Sequence, residues 1–259
     1  MSVIVDRLPL PARTGSATRR HAAVVLATAL MLVGGATPAF CSPLDDAQAA
    51  LDAGDYEKAR SLWLRLAEQG DARASYGMGL LYEGGDGVDI DAAEAARWYR
   101  KAADQGYAPA QERLGGFYHF GLAATQDDAE AAAWYRKAAD QGLAEAQYDL
   151  GILYEQGQGV PQDPAEAARW YRRAADQGYP KAMGGLGLLY LDGTGVPKDA
   201  VAGLTLILLE RRLGDEIERD VTDELLAQIE RQHPLSQQQR DRAAAAARQW
   251  HPGSPLPLP

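Results

Sequence analysis

The stretch Trp98-Tyr99-Arg100-Lys101-Ala102-Ala103-Asp104-Gln105-Gly106 decides the fold, because it recurs twice further along the chain. It returns as Trp134 to Gly142, and again as Trp170 to Gly178 with Arg173 in place of the lysine. Successive copies are 36 residues apart. A fixed period of this length is typical of repeat arrays, in which each unit buries its apolar face against its neighbours. The sequence therefore predicts a solenoid.

The first helix of each unit is predicted from the spacing of its apolar residues. In the first repeat these are Ala74, Met78, Leu81 and Tyr82, whose offsets place them on one face of a helix. A glycine, Gly79, interrupts that face and costs about 1 kcal/mol of helix propensity, so we expect a neighbouring backbone to come close there. The same glycine recurs at Gly115, Gly151 and Gly187.

The second helix of each unit carries start and stop signals. In the first repeat it opens on Asp91 with Glu94 three positions later, which is the spacing of a capping box with aspartate as the N-cap. A glycine then ends the helix in the position that favours a left-handed backbone. These terminal glycines keep the register of the array and are Gly70, Gly106, Gly142, Gly178 and Gly214.

Together these features resemble the Sel-1-like repeat, a relative of the tetratricopeptide repeat with a slightly longer unit. The resemblance rests on Ala-x-x-x-Leu-Gly-x-x-Tyr in the first helices, on loops such as Gly157 to Pro161, and on Asp-x-x-Glu-Ala-x-x-Trp-Tyr-Arg-Lys-Ala-Ala-Asp-Gln-Gly in the second helices. It covers residues 71–214. The resemblance implies an all-α fold, namely a right-handed α-solenoid of helix-turn-helix Sel-1-like repeats. Proteins of this family act mainly as adaptors and scaffolds.

The period and the changes in composition divide the chain into segments. The second helix of the fourth repeat, Ala200 to Leu213, is apolar on every side, so it needs a cover. We expect the helices that follow it to provide this cover. The predicted segments are a signal peptide (1–41), an N-terminal capping helical hairpin (42–70), four 36-residue Sel-1-like repeats (71–214), C-terminal capping helices (215–251) and a disordered proline-rich tail (252–259).

The N-terminus has the order of elements found in an export signal. Arg19-Arg20-His21 precede the charge-free apolar run Ala22 to Gly34, and a stretch of small residues follows. Cleavage after Ala39 and cleavage after Cys41 both satisfy the preference for small residues. The sequence therefore predicts an exported protein, periplasmic or secreted, with no membrane span in the mature chain. An uncleaved anchor is the alternative, although the apolar region is barely long enough to span a bilayer.

Composition argues against several classes of function. The chain has 26 Lys+Arg against 36 Asp+Glu and a formal charge of -10, which disfavours binding to nucleic acid or anionic lipid. A single cysteine, Cys41, excludes an internal disulfide framework and a multi-thiolate zinc site. The four histidines show no spacing of metal ligands or of a triad, and His119 is predicted to be an exposed, variable position. We therefore expect no metal, no cofactor and no catalytic residues.

The recurring tryptophans suggest two interpretations. Trp98, Trp134 and Trp170 could form an aromatic platform for a ligand. They share the apolar face of the second helix with Ala102 and its equivalents, however, which favours packing in the core. The sequence therefore predicts that the tryptophans belong to the scaffold.

Positions that change from repeat to repeat are the better functional signal. They are positions 73, 76, 77, 80 and 83 and their equivalents, which share one face of the first helices. The resemblance implies that these helices line the concave groove, where tyrosine and arginine are favoured anchors. Simple exposure to solvent is the alternative. The predicted partner-binding residues are Arg73, Tyr76, Leu80, Glu112, Arg113, Tyr148, Asp149, Ile152 and Lys181, with Glu145, Leu188 and Leu191 on the same face.

The sequence thus predicts an exported, non-catalytic scaffold or adaptor that binds a protein or peptide partner on the concave face of the solenoid. One alternative is a spacer or regulatory component of an envelope assembly. Another is a secreted ligand-binding protein or enzyme, because the resemblance includes a cysteine-rich secreted branch linked to β-lactam binding. This chain lacks the paired cysteines of that branch.

Overall fold

The protein is described by a computed structural model that covers residues 42–258. The predicted signal peptide, 1–41, lies outside the described residues. Within 42–258 the structure contains twelve α-helices and no strand. The helices are α1 Pro43–Asp52, α2 Tyr56–Glu68, α3 Ala72–Gly84, α4 Ala92–Ala103, α5 Ala108–Phe120, α6 Asp128–Asp140, α7 Ala144–Gln156, α8 Pro164–Asp176, α9 Pro180–Asp192, α10 Ala200–Leu213, α11 Glu216–Gln232 and α12 Gln237–Gln249.

The helices stack in chain order, which is the arrangement of a solenoid. From α1 to α11 each helix packs against its neighbours in the chain, and α12 returns to pack against α10. The first helices of the four repeats are α3, α5, α7 and α9, and the second helices are α4, α6, α8 and α10. The prediction of an all-α repeat solenoid is therefore confirmed. No helix within 42–258 is both long enough and apolar enough to cross a bilayer.

The aspartate caps form as the sequence predicts, but the glutamates that follow them bind elsewhere. Asp91 accepts a hydrogen bond from the backbone N–H of Glu94. The Glu94 carboxylate does not return to the cap, and instead lies 3.0 Å from the Arg97 guanidinium. In the second repeat the position of Arg97 is an alanine, and Glu130 accepts a hydrogen bond from Trp134 Nε1 at 2.9 Å.

The glycine in the first helix of the first three repeats makes room for a tyrosine ring rather than for a backbone. A Cβ atom on Gly151 would lie 2.5 Å from the ring of Tyr171, a residue of the second helix in the same repeat. The expected close backbone occurs in the fourth repeat alone, where a Cβ atom on Gly187 would lie 2.9 Å from the carbonyl oxygen of Gly203. The prediction was therefore wrong for the first three repeats, because the neighbour that comes close is a side chain.

The tryptophans are packing residues, as predicted. Trp134 is 4% exposed and Trp170 is 3% exposed, while Trp98 is half-buried against the core of the preceding hairpin. Each ring also lies under cations. The Arg136 guanidinium is 5.7 Å from the centre of the Trp170 ring and 5.4 Å from that of Tyr154 in the next repeat. Arginines of the recurring stretch therefore join neighbouring repeats through cation–π contacts.

Replacing Arg136 with alanine is expected to lower the free energy of unfolding by about 1 to 2 kcal/mol, since the change removes two ring contacts and a charge-assisted hydrogen bond to the Tyr154 hydroxyl. Arg172 provides a matched control. It has the same position one repeat later, where the next repeat offers Leu206 in place of tryptophan, so Arg172→Ala should cost less than about 0.5 kcal/mol. Urea unfolding followed by circular dichroism measures both, and equal losses would contradict the role of Arg136.

The glutamine of the recurring stretch has a role that the sequence analysis missed. Gln141 Nε2 donates to Gln111 Oε1 at 2.7 Å, and Gln111 Nε2 donates to the Ala103 carbonyl at 3.1 Å. Gln177 and Gln147 form the same arrangement one repeat later. Because Gln111 is buried, these bonds satisfy polar groups that would otherwise destabilise the core.

The apolar helix α10 is covered by the C-terminal helices, as predicted. Ile207 of α10 packs with Ile229 of α11, and Leu206 packs in a cluster that contains Ala247 of α12. The proline-rich tail differs from the predicted disorder. Leu256 is 5% exposed and packs in that same cluster, because an apolar side chain so close to the cap can still bury its surface against it.

Candidate partner-binding surface

The variable positions of α3, α5, α7 and α9 form one surface, which we call the first-helix face. Most of the predicted residues on it are half-buried, while Arg73 and Lys181 are exposed. Leu191 does not belong to this surface. It is fully buried with Ile207 and Ile229, because α11 covers it. The half-buried predicted residues are Tyr76, Leu80, Glu112, Arg113, Tyr148, Asp149 and Ile152.

Tyrosines from first helices, second helices and the turns between repeats meet at this face in two equivalent clusters. In the first tyrosine cluster the Tyr76 ring centre lies 5.6 Å from that of Tyr99 and 5.4 Å from that of Tyr107. In the second, both distances are 5.6 Å, and these separations are typical of favourable aromatic pairs. The second tyrosine cluster, two repeats later, consists of Tyr148, Tyr171 and Tyr179.

Each cluster contains one buried tyrosine whose hydroxyl is held by a glutamate. Tyr171 donates to Glu155 Oε2 at 2.6 Å, and Tyr99 donates to Glu83 in the same way. Burial, followed by the charge of the glutamate, raises the pKa of both phenols far above the ordinary value. The hydroxyls therefore remain protonated and act as donors within the scaffold.

The second repeat departs from this arrangement. Glu112 stands where the flanking repeats have Tyr76 and Tyr148, and His119 stands where they have glutamate. The prediction of an exposed His119 was wrong. The side chain is 7% exposed with its Nδ1 atom 2.6 Å from Asp128 Oδ1, because an acid at the start of α6 draws the ring toward the other helix of the same repeat.

Charged side chains occupy the first-helix face between the two clusters. Arg113 lies 3.3 Å from Glu83 and 3.8 Å from Glu112. Burial raises the pKa of Glu112 to about 7 and that of Asp149 to about 8. For Asp149, Glu112 and Glu145 add to this effect, and it is opposed by Arg113 and Lys181. The structure thus brings four of the predicted residues, Glu112, Arg113, Asp149 and Lys181, into one electrostatic cluster.

A further buried acid, Glu210 of α10, was missed by sequence reasoning. It occupies the position that Ala102 and its equivalents have in the other second helices. Its carboxylate lies against Gly184, which replaces the Tyr76 equivalent and so leaves room for it. Burial raises the pKa of Glu210 to about 8. When the repeats are aligned, Glu210 replaces the alanine of the other second helices and Gly184 replaces the residue equivalent to Tyr76. These two replacements together were a signal that the sequence contained.

Besides Tyr99 and Tyr171, three further tyrosines of this surface were absent from the predicted set. Tyr107 and Tyr179 directly follow the terminal glycines of their repeats, so they precede the first helices rather than belong to them. Tyr135 occupies an invariant position of the recurring stretch and was assigned to the scaffold. Only the stacking of helices brings these residues to the first-helix face, because each lies far from its neighbours in the sequence.

Two shallow clefts lie elsewhere, each between a second helix, the first helix that follows it and the next loop. The larger has a volume of about 500 Å³ and is lined by arginines that include Arg169 and Arg172. The smaller has a volume of about 320 Å³ and is lined by Arg97, Arg100 and Phe117. Within 42–258 no cluster of side chains has the composition of a metal site. The clefts provide the main structural alternative to the first-helix face.

Comparison with protein families agrees with this architecture. The model described as Sel1 repeat matches residues 49–71, 72–107, 108–143, 144–179 and 180–207. The chain belongs to the Sel1 repeat family. The first of these matches lies within the hairpin α1–α2, which the sequence analysis assigned to the N-terminal cap. Sel1 repeats generally mediate protein–protein interactions, and proteins built from them are generally non-catalytic scaffolds.

Solved structures of Sel1 repeat proteins are similar to this one. A Sel1 repeat protein from Oxalobacter formigenes has 35% sequence identity and a TM-score of 0.63, over 70% of this chain and 74% of that protein. The protective antigen c5321 of uropathogenic Escherichia coli, which displays an SLR fold, has 28% identity and a TM-score of 0.64. That match covers 79% of this chain but 46% of the antigen. A comparison with curated proteins finds no match.

Proposed function

We propose that this Sel1 repeat protein is an exported, non-catalytic adaptor that binds a protein or peptide partner on its first-helix face. One observation carries the proposal. The positions that vary between repeats contribute the half-buried tyrosines of the two clusters, with charged residues between them, while the positions that recur, including Tyr99 and Tyr171, are buried in the scaffold. Tyrosine and arginine are the side chains that most often anchor protein interfaces.

The geometry of a repeat array supports this choice of surface. Small rotations between successive repeats create an extended concave side, which such proteins use for binding. The first helices of tetratricopeptide-like repeats line that side. Half-buried tyrosines at fixed spacing offer rigid contact area at a low cost in conformational entropy. An extended peptide could therefore contact both tyrosine clusters at once.

Changing Tyr76, Arg113 and Tyr148 together to alanine is expected to abolish capture of a specific partner from the envelope fraction of the source organism. Captured proteins are identified by mass spectrometry, and the binding is measured again with purified components. We expect at least a hundredfold loss of affinity, because hot-spot residues each contribute about 2 kcal/mol or more. Circular dichroism must show unchanged helical content.

A matched control carries three alanines on the second helices, at Arg97, Arg169 and Arg172, which line the two outer clefts. This variant should retain the partner. If the first-helix variant still binds the partner and the control variant does not, the clefts and not the first-helix face bind the partner. Retention by both variants would leave the array as a spacer.

Export has its own test, which is N-terminal sequencing of the protein recovered from the periplasm or the medium. We expect a mature chain that begins at Phe40 or Ser42, after cleavage behind Ala39 or Cys41. Either product retains Ser42, whose side chain caps α1. A chain that keeps its N-terminal segment and remains in the cytoplasm would contradict export.

A further inference from the structure

The middle of the first-helix face differs from its two flanks. Glu112 interrupts the series formed by Tyr76 and Tyr148, and Gly116 interrupts the series formed by Leu80 and Ile152. The second repeat therefore replaces an aromatic side chain with an acid and removes the large aliphatic side chain beside it. Both changes fall between the two tyrosine clusters.

The Tyr135 hydroxyl lies beneath this opening. A Cβ atom on Gly116 would stand 3.6 Å from that oxygen, in ordinary contact. Tyr135 is 3% exposed, and its hydroxyl forms no hydrogen bond with any residue in the described part of the chain. The glutamate that holds the equivalent tyrosines is replaced by His119, which pairs with Asp128. The hydroxyl therefore keeps a donor and an acceptor available to a group from outside.

Two carboxylates lie within electrostatic reach of that hydroxyl. After burial, the charges of Asp149 and Glu112 are the largest causes of the raised pKa of Tyr135. No hydrogen bond or ion pair of the Asp149 carboxylate occurs among residues 42–258, and burial dominates its raised pKa. The opening therefore combines an unpartnered hydroxyl with a half-buried acid that forms no ion pair in that range.

The neighbouring cations are shared with acids outside this opening. Arg113 is closer to Glu83, at 3.3 Å, than to Glu112, at 3.8 Å. The Lys181 ammonium lies 3.7 Å from Glu218 of the C-terminal cap. The array therefore leaves the centre of the first-helix face short of positive charge.

We propose that Glu112, Asp149 and the Tyr135 hydroxyl form a pocket for one lysine or arginine side chain of the bound peptide. The inference rests on the proposed function and specifies its partner as a peptide with a central cation. An ammonium or guanidinium group has donors for all three oxygen-bearing side chains, and charge-assisted hydrogen bonds to carboxylates are the strong ones. Residues on either side of the cation then pack on the two tyrosine clusters.

Binding of the cation should depend on pH. Glu112 and Asp149 have pKa values of about 7 and about 8 in the free protein, so a cation must displace protons from them. Affinity should therefore rise about tenfold or more from pH 6 to pH 9. The charged and titratable groups around the pocket are Glu83 on α3, Glu112 and Arg113 on α5, Asp128 and Tyr135 on α6, Glu145 and Asp149 on α7, and Lys181 on α9.

The probe is a random dodecapeptide library displayed on phage, selected on the full mature chain at pH 8 in 0.15 M salt. Selected peptides are then synthesised twice, once unmodified and once with acetyl-lysine or citrulline at each cation. We expect the peptides to share one lysine or arginine whose neutral replacement weakens binding at least tenfold. Asp149→Asn and Glu112→Gln should each have the same effect on the unmodified peptide, and Tyr135→Phe should weaken binding about threefold.

Controls separate the pocket from general electrostatics. Asp140→Asn and Asp176→Asn each remove one negative charge from exposed ends of second helices, and they should leave affinity unchanged. Equal effects of these changes and of Asp149→Asn overturn the pocket. Peptides that depend on Tyr76 and Tyr148 but not on Asp149 also overturn it, while the proposed function stands. If no selected peptide depends on Tyr76 and Tyr148, both inferences fail.

Discussion

Changing Gly115 to alanine is expected to lower the free energy of unfolding by about 2 kcal/mol, whereas the same change at the adjacent Gly116 should leave it unchanged or raise it by up to about 1 kcal/mol. A Cβ atom on Gly115 would lie 2.7 Å from the Tyr135 ring, and overpacking of a filled core costs about 1 to 3 kcal/mol. Urea unfolding of the mature chain, followed by circular dichroism, measures both variants.

The comparison of the two glycines is stringent because both lie in α5, while only Gly115 lies against the Tyr135 ring. On Gly116 a Cβ atom would meet only the Tyr135 hydroxyl, at 3.6 Å, so the gain in helix propensity of about 1 kcal/mol decides the result. If both substitutions stabilise α5, the Tyr135 ring is not held against Gly115. If both destabilise it equally, the cost arises from the helix itself rather than from the ring.

Stability should fall as the pH rises from about 5 to 9. Burial raises the pKa of Asp149 from 3.8 to about 8, that of Glu210 from 4.5 to about 8, and that of Glu112 from 4.5 to about 7. Between these values the folded chain binds more protons than the unfolded chain, so the free energy of unfolding decreases with pH. All three side chains are only half-buried, so solvent screens most of the nominal value of about 1.4 kcal/mol for each pKa unit. We therefore expect a total loss of a few kcal/mol.

Asp149→Asn isolates one of these acids. The variant should match the wild type at pH 5, where the native carboxyl is protonated, and should exceed its stability by about 2 kcal/mol at pH 9. Asp140→Asn, at an exposed position, should leave the pH dependence unchanged. Urea unfolding at four pH values provides the curves. A wild-type stability that is flat across this range would show that the buried acids ionise without cost.

These two predictions concern the same small region, which links stability to the inferred function. Asp149 destabilises the folded chain when it is charged, and the proposed pocket places a partner's cation beside it. Variants that stabilise the scaffold at pH 9 should therefore weaken binding. A change that raises stability and lowers affinity identifies a binding residue, because loss of a structural residue would lower both stability and affinity.

The repeat architecture could be read from the sequence because its determinants are local. The aspartate caps such as Asp91 and Asp163 and the glycine stops each act within one or two turns of helix, and the 36-residue period repeats these local signals along the chain. The apolar surface of α10 likewise predicted that the C-terminal helices would cover it. Local signals of this kind are consistent with one another, and that consistency specifies a single fold.

The candidate site could be predicted only in part. Variation among repeats identified Tyr76, Glu112, Tyr148 and Asp149 as surface positions, but it gave no reason to include Tyr135. A residue that recurs in every repeat is assigned to the scaffold, although its surroundings can differ from one repeat to another. The exchange of Glu83 for His119 changes the environment of Tyr135 without changing Tyr135 itself.

The sequence by itself therefore determined the helices, their order and the faces they bury, since periodicity and capping depend on residues a few positions apart. Tertiary structure alone decided which residues meet. Gln141 reaches Gln111 across 30 positions, His119 is drawn to Asp128, and Leu256 docks on the terminal cap. Stacking converts a distance of about one repeat along the chain, as between Gln111 and Gln141, into direct contact, and the turn within the second repeat brings His119 to Asp128. The acidic opening between the two tyrosine clusters depends on packing and charge at such contacts. No single segment of the sequence encodes these contacts.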